Sequence, residues 1–261
     1  MAYNPEEVRN LFDEIAEQED QLEKMPFLRN EIPREFIKKY LRESDFVLDA
    51  GGGTGINAIM MARHCQKVNL VDISSRILKL AAHNINKAGL TNQIELVQGD
   101  IIHLERWGEG EFSFVVCVGG AISHTLEKGE QAIHELVRVA QKGAVLIMGC
   151  DSKYGLMRHY FRYEDDLLDE ATNMYATNEF LNNGQVKAHL YTVTEMTGLL
   201  KEAGCEIMEV ASTPTIINSL DEVKYREEEK WKKLKALEMK VCTVPELLGI
   251  GSHLLCVARK V

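Results

Sequence analysis

Between residues 6 and 42 the hydrophobic positions recur at helical spacing in two pieces. Val8, Leu11, Phe12 and Ile15 fall at i, i+3, i+4 and i+7, and Ile32, Phe36, Ile37, Tyr40 and Leu41 make a second stripe beside Pro33, with Pro26 between them. From Phe46 the pattern changes. Short apolar runs at Phe46 to Asp49, Lys67 to Val71, Ile94 to Gln98, Phe112 to Val118 and Ala144 to Gly149 alternate with helical stretches near 55–65, 75–88 and 127–141. Runs apolar on both sides are strands buried on both faces. Their alternation with helices predicts a doubly wound α/β domain with a parallel sheet.

A polar, aromatic-rich stretch follows from Asp151 to Ala188. A helix over Thr194 to Ala203 is announced by the capping signal Thr192, Thr194 and Glu195 and stopped by Gly204. Two further strands are expected at Cys205 to Ala211 and His253 to Arg259. Within the charged run Asp221 to Lys240, the residues Val223, Trp231, Leu234, Leu237 and Val241 fall roughly on one stripe, which predicts a solvated amphipathic helix. No repeat or linker divides the chain. The expected layout is one domain: an N-terminal helical cap (1–44), a core (45–150, completed by 189–211 and 253–261) and cap insertions at 151–188 and 212–252.

The 261 residues are enough to bury a core without staples, and 45% apolar with 27% charged residues is ordinary globular composition. The formal charge of -10, with no long basic block, makes nucleic acid and anionic membrane unexpected partners. No basic-then-apolar leader opens the chain, and no apolar stretch reaches spanning length. The six cysteines form no CxxC and mostly sit in apolar runs, so a reducing, cytoplasmic setting without zinc or disulfides is expected.

The turn after the first strand, Val47-Leu-Asp-Ala-Gly51-Gly-Gly53-Thr-Gly55, lies where an open α/β sheet binds its ligand. Glycines there permit positive φ and let a ligand approach the main chain. The dinucleotide fingerprint fails because its third glycine would fall at Ile56, and there is no GK[ST] for a phosphate loop. Asp49 just before the glycines would repel a pyrophosphate but accept hydrogen bonds from a cation or from backbone amides.

These residues resemble the class I S-adenosylmethionine-dependent methyltransferases, whose first motif is an apolar strand followed by DxGxGxG. The resemblance is strong over about residues 45 to 150. It implies a seven-stranded Rossmann-like sheet with the last strand antiparallel, and S-adenosylmethionine as cofactor. Residue by residue, it implies that Asp49, Gly51, Gly53 and Gly55 form the cofactor turn. Asp72, with Ile73 beside it, would hold the ribose hydroxyls. Asp100 would receive the adenine amino group with Ile101 against the ring, and Val118 and Gly119 would contact the adenosine and methionine portions. Ser113 replaces an acidic residue often found at the start of the fourth strand. No NPPY or DPPY motif is present, which disfavours base-modifying enzymes. The overall style is similar to the quinone-biosynthesis methyltransferases.

The expected activity is therefore methyl transfer to a small organic acceptor by in-line displacement. Positioning does most of the work in such a reaction, and a base is needed only where the acceptor must lose a proton. His124, just after the fourth strand, is the candidate base, with a helix cap or cofactor contact as its alternative role. Tyr154, His159 and Tyr160, in an insertion that also carries Met157, Phe161, Tyr163, Met174 and Tyr175, are expected to shape an aromatic acceptor pocket. Asp151 either orients the acceptor or caps a turn. Other adenosyl-group transfer on this fold and a non-catalytic accessory subunit are the alternative readings. The identity of the acceptor and the oligomeric state are left open by the sequence.

Overall fold

The structure is a computed structural model that describes residues 2–160, 168–182, 185–217 and 221–261. The strands, in chain order, are β1 (Phe46–Ala50), β2 (Lys67–Asp72), β3 (Ile94–Gln98), β4 (Phe112–Cys117), β5 (Ala140–Asp151), β6 (Glu179–Asn182), β7 (Val186–His189), β8 (Cys205–Thr213) and β9 (His253–Lys260). Seven of them form one sheet in the order β3-β2-β1-β4-β5-β9-β8, in which β9 runs antiparallel to both neighbours. The order reverses between β1 and β4. This is the switch point at which the carboxyl ends of two strands open a crevice.

The helices are α1 (Pro5–Glu14), α2 (Ala16–Lys24), α3 (Leu28–Tyr40), α4 (Ile56–Ala62), α5 (Ser75–Ala88), α6 (Gly129–Val139), α7 (Lys153–Tyr160), α8 (Leu168–Thr177), α9 (Val193–Glu202) and α10 (Glu228–Val241). Alternate strand residues feed two separate cores, one on each face of the sheet. Leu48, Val115, Leu146 and Met148 pack with Ile133 and Leu136 of α6 and Met196 and Leu200 of α9. Val47, Leu70, Phe114 and Ile147 pack with Ile32 and Phe36 of α3, Met61 of α4 and Ile85 of α5. Each such side chain contributes roughly 1.5–3 kcal/mol by leaving water, so the three-layer arrangement follows from strands that are apolar on both sides.

Several local expectations change. The N-terminal region holds three helices, and α3 begins at Leu28, so Pro33 lies inside it. The expected Thr194–Ala203 helix begins at Val193, with the full capping box of Thr192 and Glu195. The stretch read as merely polar and aromatic contains α7, α8 and the β6–β7 hairpin, whose pairs of four residues are too short and too mixed in polarity to stand out.

The stripe assigned to the last helix is also rotated. Val223 and Leu237 are exposed, while Glu238 is fully buried and its carboxylate accepts hydrogen bonds from the backbone N–H groups of Thr215, Ile216 and Ile217 at 2.9–3.1 Å. A second buried acid, Glu222, accepts from Leu28 N–H at 2.8 Å and ties the same insertion to the start of α3. Binary patterning places both acids in water, because backbone donors leave no trace in a sequence. Glu238→Ala strands three donors and should lower unfolding stability by about 1–3 kcal/mol in urea titration, with Lys240→Ala on the same helix unchanged within about 0.5 kcal/mol.

Candidate functional site

The glycine turn is shaped by the strand beside it. Gly51 and Gly52 N–H both donate to the Val71 carbonyl, at 2.8 and 3.1 Å, which folds the chain back over the end of β1. Gly51, Gly53 and Gly55 have φ of +64°, +57° and +82°, a region closed to most residues. A Cβ on Gly51 would stand 2.5 Å from the Ala121 side chain, and one on Gly53 would stand 2.1 Å from Glu23 Oε1. Gly55 caps the start of α4.

A cavity of about 620 Å³ opens above this turn, between the strand ends and the N-terminal helices. Of the residues expected to bind the cofactor, Gly51, Gly53, Asp72, Ile73, Asp100, Ile101, Val118 and Gly119 all line it. Asp72 Oδ2 accepts from Gly53 N–H at 3.1 Å and Oδ1 from Ser74 N–H at 2.9 Å, so each oxygen is held by one backbone donor. Asp100 accepts from Ile102 N–H at 3.1 Å and from the Tyr3 hydroxyl at 2.6 Å. Asp49 is buried at 1% exposure behind Gly52, and its Oδ2 has no hydrogen-bond partner among the described residues.

The acids crowd one another. Burial raises Asp49 to about 8, with the charges of Glu23 and Asp72 adding to it. Burial raises Glu23 to about 7 against the lowering effect of its bonds to Thr54, and Glu19 and Asp72 push it further. Asp72 rises to about 6 through burial, although Ser74 and Gly53 N–H oppose the shift. A buried carboxylate without a cation is costly, so this end of the cavity is suited to a positively charged ligand.

At the other end, past Gly119, lie His124, Asp151, His159, His253 and the guanidinium of Arg29. Asp151 ends β5 and His253 begins β9, and the two are register partners across the antiparallel ladder. His253 Nε2 lies 3.3 Å from Asp151 Oδ1, and its Nδ1 lies 3.0 Å from Ser252 Oγ. Burial lifts Asp151 to about 7, while a bond with Ser123 and the charge of Arg29 pull it down. Burial, with Arg29 and His159 nearby, lowers His253 to about 3.

The expected base, His124, also lines the cavity, in edge contact with the Phe12 ring at 5.2 Å. Burial lowers it to about 4 against a backbone hydrogen bond with Lys187, so it is a neutral imidazole at neutral pH. His159 lines the cavity as expected. The aromatic pocket does not form as expected, for Tyr154 is 53% and Tyr175 61% exposed, and Met174 is packed in a satellite core with Leu156 and Phe180. The Tyr160 side chain, Phe161 and Tyr163 lie outside the described residues. The apolar wall is supplied instead by Tyr3, Val8 and Phe12 of the N-terminal segment and by Leu156 and Phe180.

A family model described as a methyltransferase domain matches residues 47–143, the stretch from β1 to the start of β5. Demethylmenaquinone methyltransferase from Lactobacillus johnsonii is 30% identical over 139 residues, which are 51% of this chain and 56% of that protein. Residues 47–143 carry a methyltransferase domain, and domain and fold together indicate a class I S-adenosylmethionine-dependent methyltransferase. The tRNA 5-carboxymethoxyuridine methyltransferase of Escherichia coli O157:H7 is 25% identical over 82% of this chain and 79% of its own. The crystal structure of the cyclase SpnF superposes with a TM-score of 0.68 at 15% identity, covering 99% of this chain and 97% of that one, a likeness of fold.

The residues of this methyltransferase fit S-adenosylmethionine. The cofactor brings a sulfonium and an ammonium to a site with surplus buried carboxylate, including Asp49 Oδ2, which has no partner among the described residues, beside a glycine turn whose bare backbone lines the cavity. Sequence reasoning missed Glu23, Arg29 and His253. The first two lie 24 and 18 residues ahead of Val47 in a helical segment, and the third faces Asp151 only through strand register.

The sign of the charge effect is testable. Because folded Asp49 holds its proton to about 8 against an ordinary 3.8, its contribution to stability is complete below about pH 4 and is lost as pH rises toward 8. Asp49→Asn should flatten that decline, whose limiting slope is about 1.4 kcal/mol per pH unit. The cofactor-free variant should therefore melt above wild type at pH 8, while binding S-adenosylmethionine more weakly in calorimetry.

Proposed function

We propose that this methyltransferase acts on a small organic acceptor bound between Gly119 and the Asp151–His253 pair. The observation that carries the reading is the continuity of one cavity, lined at one end by the cofactor motif and at the other by a compact polar group under an apolar roof. A roof built from helices α1 and α2 with Leu156 and Phe180 suits an enclosed ligand better than a polymer. The net charge of -10 disfavours phosphate-backbone contacts. The name of the Escherichia coli relative gives tRNA as the alternative acceptor.

In this reading the layout is one domain, with 1–44, 151–188 and 212–252 as cap segments around the core. From 212–252, Thr213 alone among the described residues lines the cavity, while Glu222 and Lys235 bond to α3. The cofactor turn is made by Asp49, Gly51, Gly53 and Gly55. Asp72, next to Ile73, accepts from the ribose hydroxyls, Asp100 from the adenine amino group, and Ile101 and Val118 with Gly119 bound the adenosine and methionine portions. S-Adenosylmethionine supplies a methyl group on sulfonium, whose departure as a neutral thioether needs no acid. The protein's part is to align the acceptor and exclude water.

Where the acceptor carries its proton, Asp151 is the better proton acceptor than His124. It rises to about 7, close to the working range, whereas an imidazole lowered to about 4 is a weak base. His253 orients the carboxylate, and His124 presents a neutral ring to the acceptor.

The test is transfer of labelled methyl from S-adenosylmethionine into a small-molecule extract and, separately, into bulk tRNA. Label entering small molecules supports the proposal; label entering only tRNA overturns it. With the acceptor so found, Asp151→Asn should lower turnover by about 10²–10⁴ and remove a rise in rate with pH through about 7, while S-adenosylmethionine affinity stays within about threefold. His124→Ala should cost less than about tenfold.

A further inference from the structure

The N-terminal helices meet the cofactor site through one acidic face. Asp13 Oδ1 accepts from the Ser74 hydroxyl at 2.6 Å and from Arg76 N–H at 2.9 Å. Glu17 pairs with Arg76 at 2.8 Å, and Asp20 accepts from Asn84 at 2.8 Å. These residues recur at helical spacing and staple the segment to α5, and the next position on that face is Glu23. Its carboxylate accepts from Thr54 N–H at 3.1 and 3.2 Å and from the Thr54 hydroxyl at 2.9 Å, inside the glycine turn.

No cation offsets that carboxylate among the described residues. Arg34, which touches Glu23, donates to its backbone carbonyl at 2.9 Å and to Asn57 Oδ1 at 3.0 Å. The carboxyl groups facing Glu23 are those of Glu19, Asp49 and Asp72, all like-charged when ionised. Beside it, Asp49 Oδ2 is buried without a partner among the described residues. A cap that brings a third acid onto an already acidic turn loses stability from repulsion unless a ligand supplies positive charge there.

We propose that Glu23 is a ligand of the α-ammonium group of S-adenosylmethionine, so that the cofactor's own charge holds the N-terminal cap over the glycine turn. The ammonium donates to Glu23 and is shared with Asp49 through the field of the buried cluster. Cofactor binding and cap closure are then one coupled event, and the acceptor chamber roofed by Phe12 and Val8 is completed only when the cofactor is in place. The inference rests on the assignment of this cavity to the cofactor.

The test uses the full chain with S-adenosylmethionine and with 5′-methylthioadenosine, which keeps the adenosine but has no ammonium. Titration calorimetry should show Glu23→Gln binding S-adenosylmethionine about 10- to 100-fold more weakly than wild type, with 5′-methylthioadenosine affinity unchanged within about twofold. Glu23→Asp should recover part of the loss. Hydrogen exchange over residues 5–24 should slow when S-adenosylmethionine is added to wild type and not when it is added to Glu23→Gln. Wild-type affinity in Glu23→Gln overturns the proposal, as does tighter binding, which would make Glu23 a plug. An equal loss for both ligands overturns it too, since that marks a merely structural role. Failure of wild type to bind S-adenosylmethionine would instead remove the cofactor assignment itself.

Discussion

Carboxylate buried at the carboxyl edge of the sheet, where β1 and β4 part, is the constraint on which the rest of this molecule depends. Asp49 is the last residue but one of β1 and Asp72 the last of the adjacent parallel β2, so the ladder fixes the spacing of their backbones. Glu23 is added from above, and the three are shifted upward to about 8, 6 and 7 by burial and by one another. A fold selected for stability alone would place amides or apolar side chains there. The arrangement makes physical sense as half of a binding equilibrium, in which the missing half is cationic. The glycine turn serves the same end, for it allows the ligand to reach a backbone that a side chain would screen.

That constraint also explains which parts of the molecule were legible in the sequence. The strand-ending acids and the glycines sit at fixed offsets in the chain, where local geometry leaves little freedom, and eight of the ten expected positions line the cavity, Asp49 and Gly55 being the exceptions. The parallel α/β sheet followed from alternation of apolar runs with helices, and the reversed last strand from the family resemblance. Legibility failed wherever a residue's surroundings came from a distant segment. Glu238 and Glu222 look like solvent-facing acids in any helical plot, yet they are buried on backbone donors 21 to 23 and 194 residues away. The exposed Tyr154 shows the opposite error, since an aromatic residue in an insertion has no register to fix the face it presents.

The acceptor end sharpens the same point. His124 was conspicuous because it follows a strand belonging to the motif region, but proximity along the chain says nothing of desolvation, and desolvation is what lowers it to about 4. Asp151 and His253 lie a hundred residues apart and are brought side by side only because β9 inserts antiparallel between β5 and β8. The reversed strand places a residue from its own beginning at the edge where every parallel strand contributes its end. A histidine at that position meets a carboxylate from β5 and a neighbouring serine hydroxyl, and its orientation is fixed from both ring nitrogens.

Two chemically distinct ends thus share one chamber, and the covering helices touch both. Tyr3 reaches Asp100, Glu23 reaches the glycine turn, and Phe12 packs on His124 at the far end. A single rigid shift of α1 and α2 therefore alters contacts at every point along the path of methyl transfer. In-line displacement owes its rate to alignment of a nucleophile with a breaking bond, and an error near 1 Å is expensive. An element that spans the whole chamber is thus the natural place from which alignment is enforced, and its acidic face is what seats it.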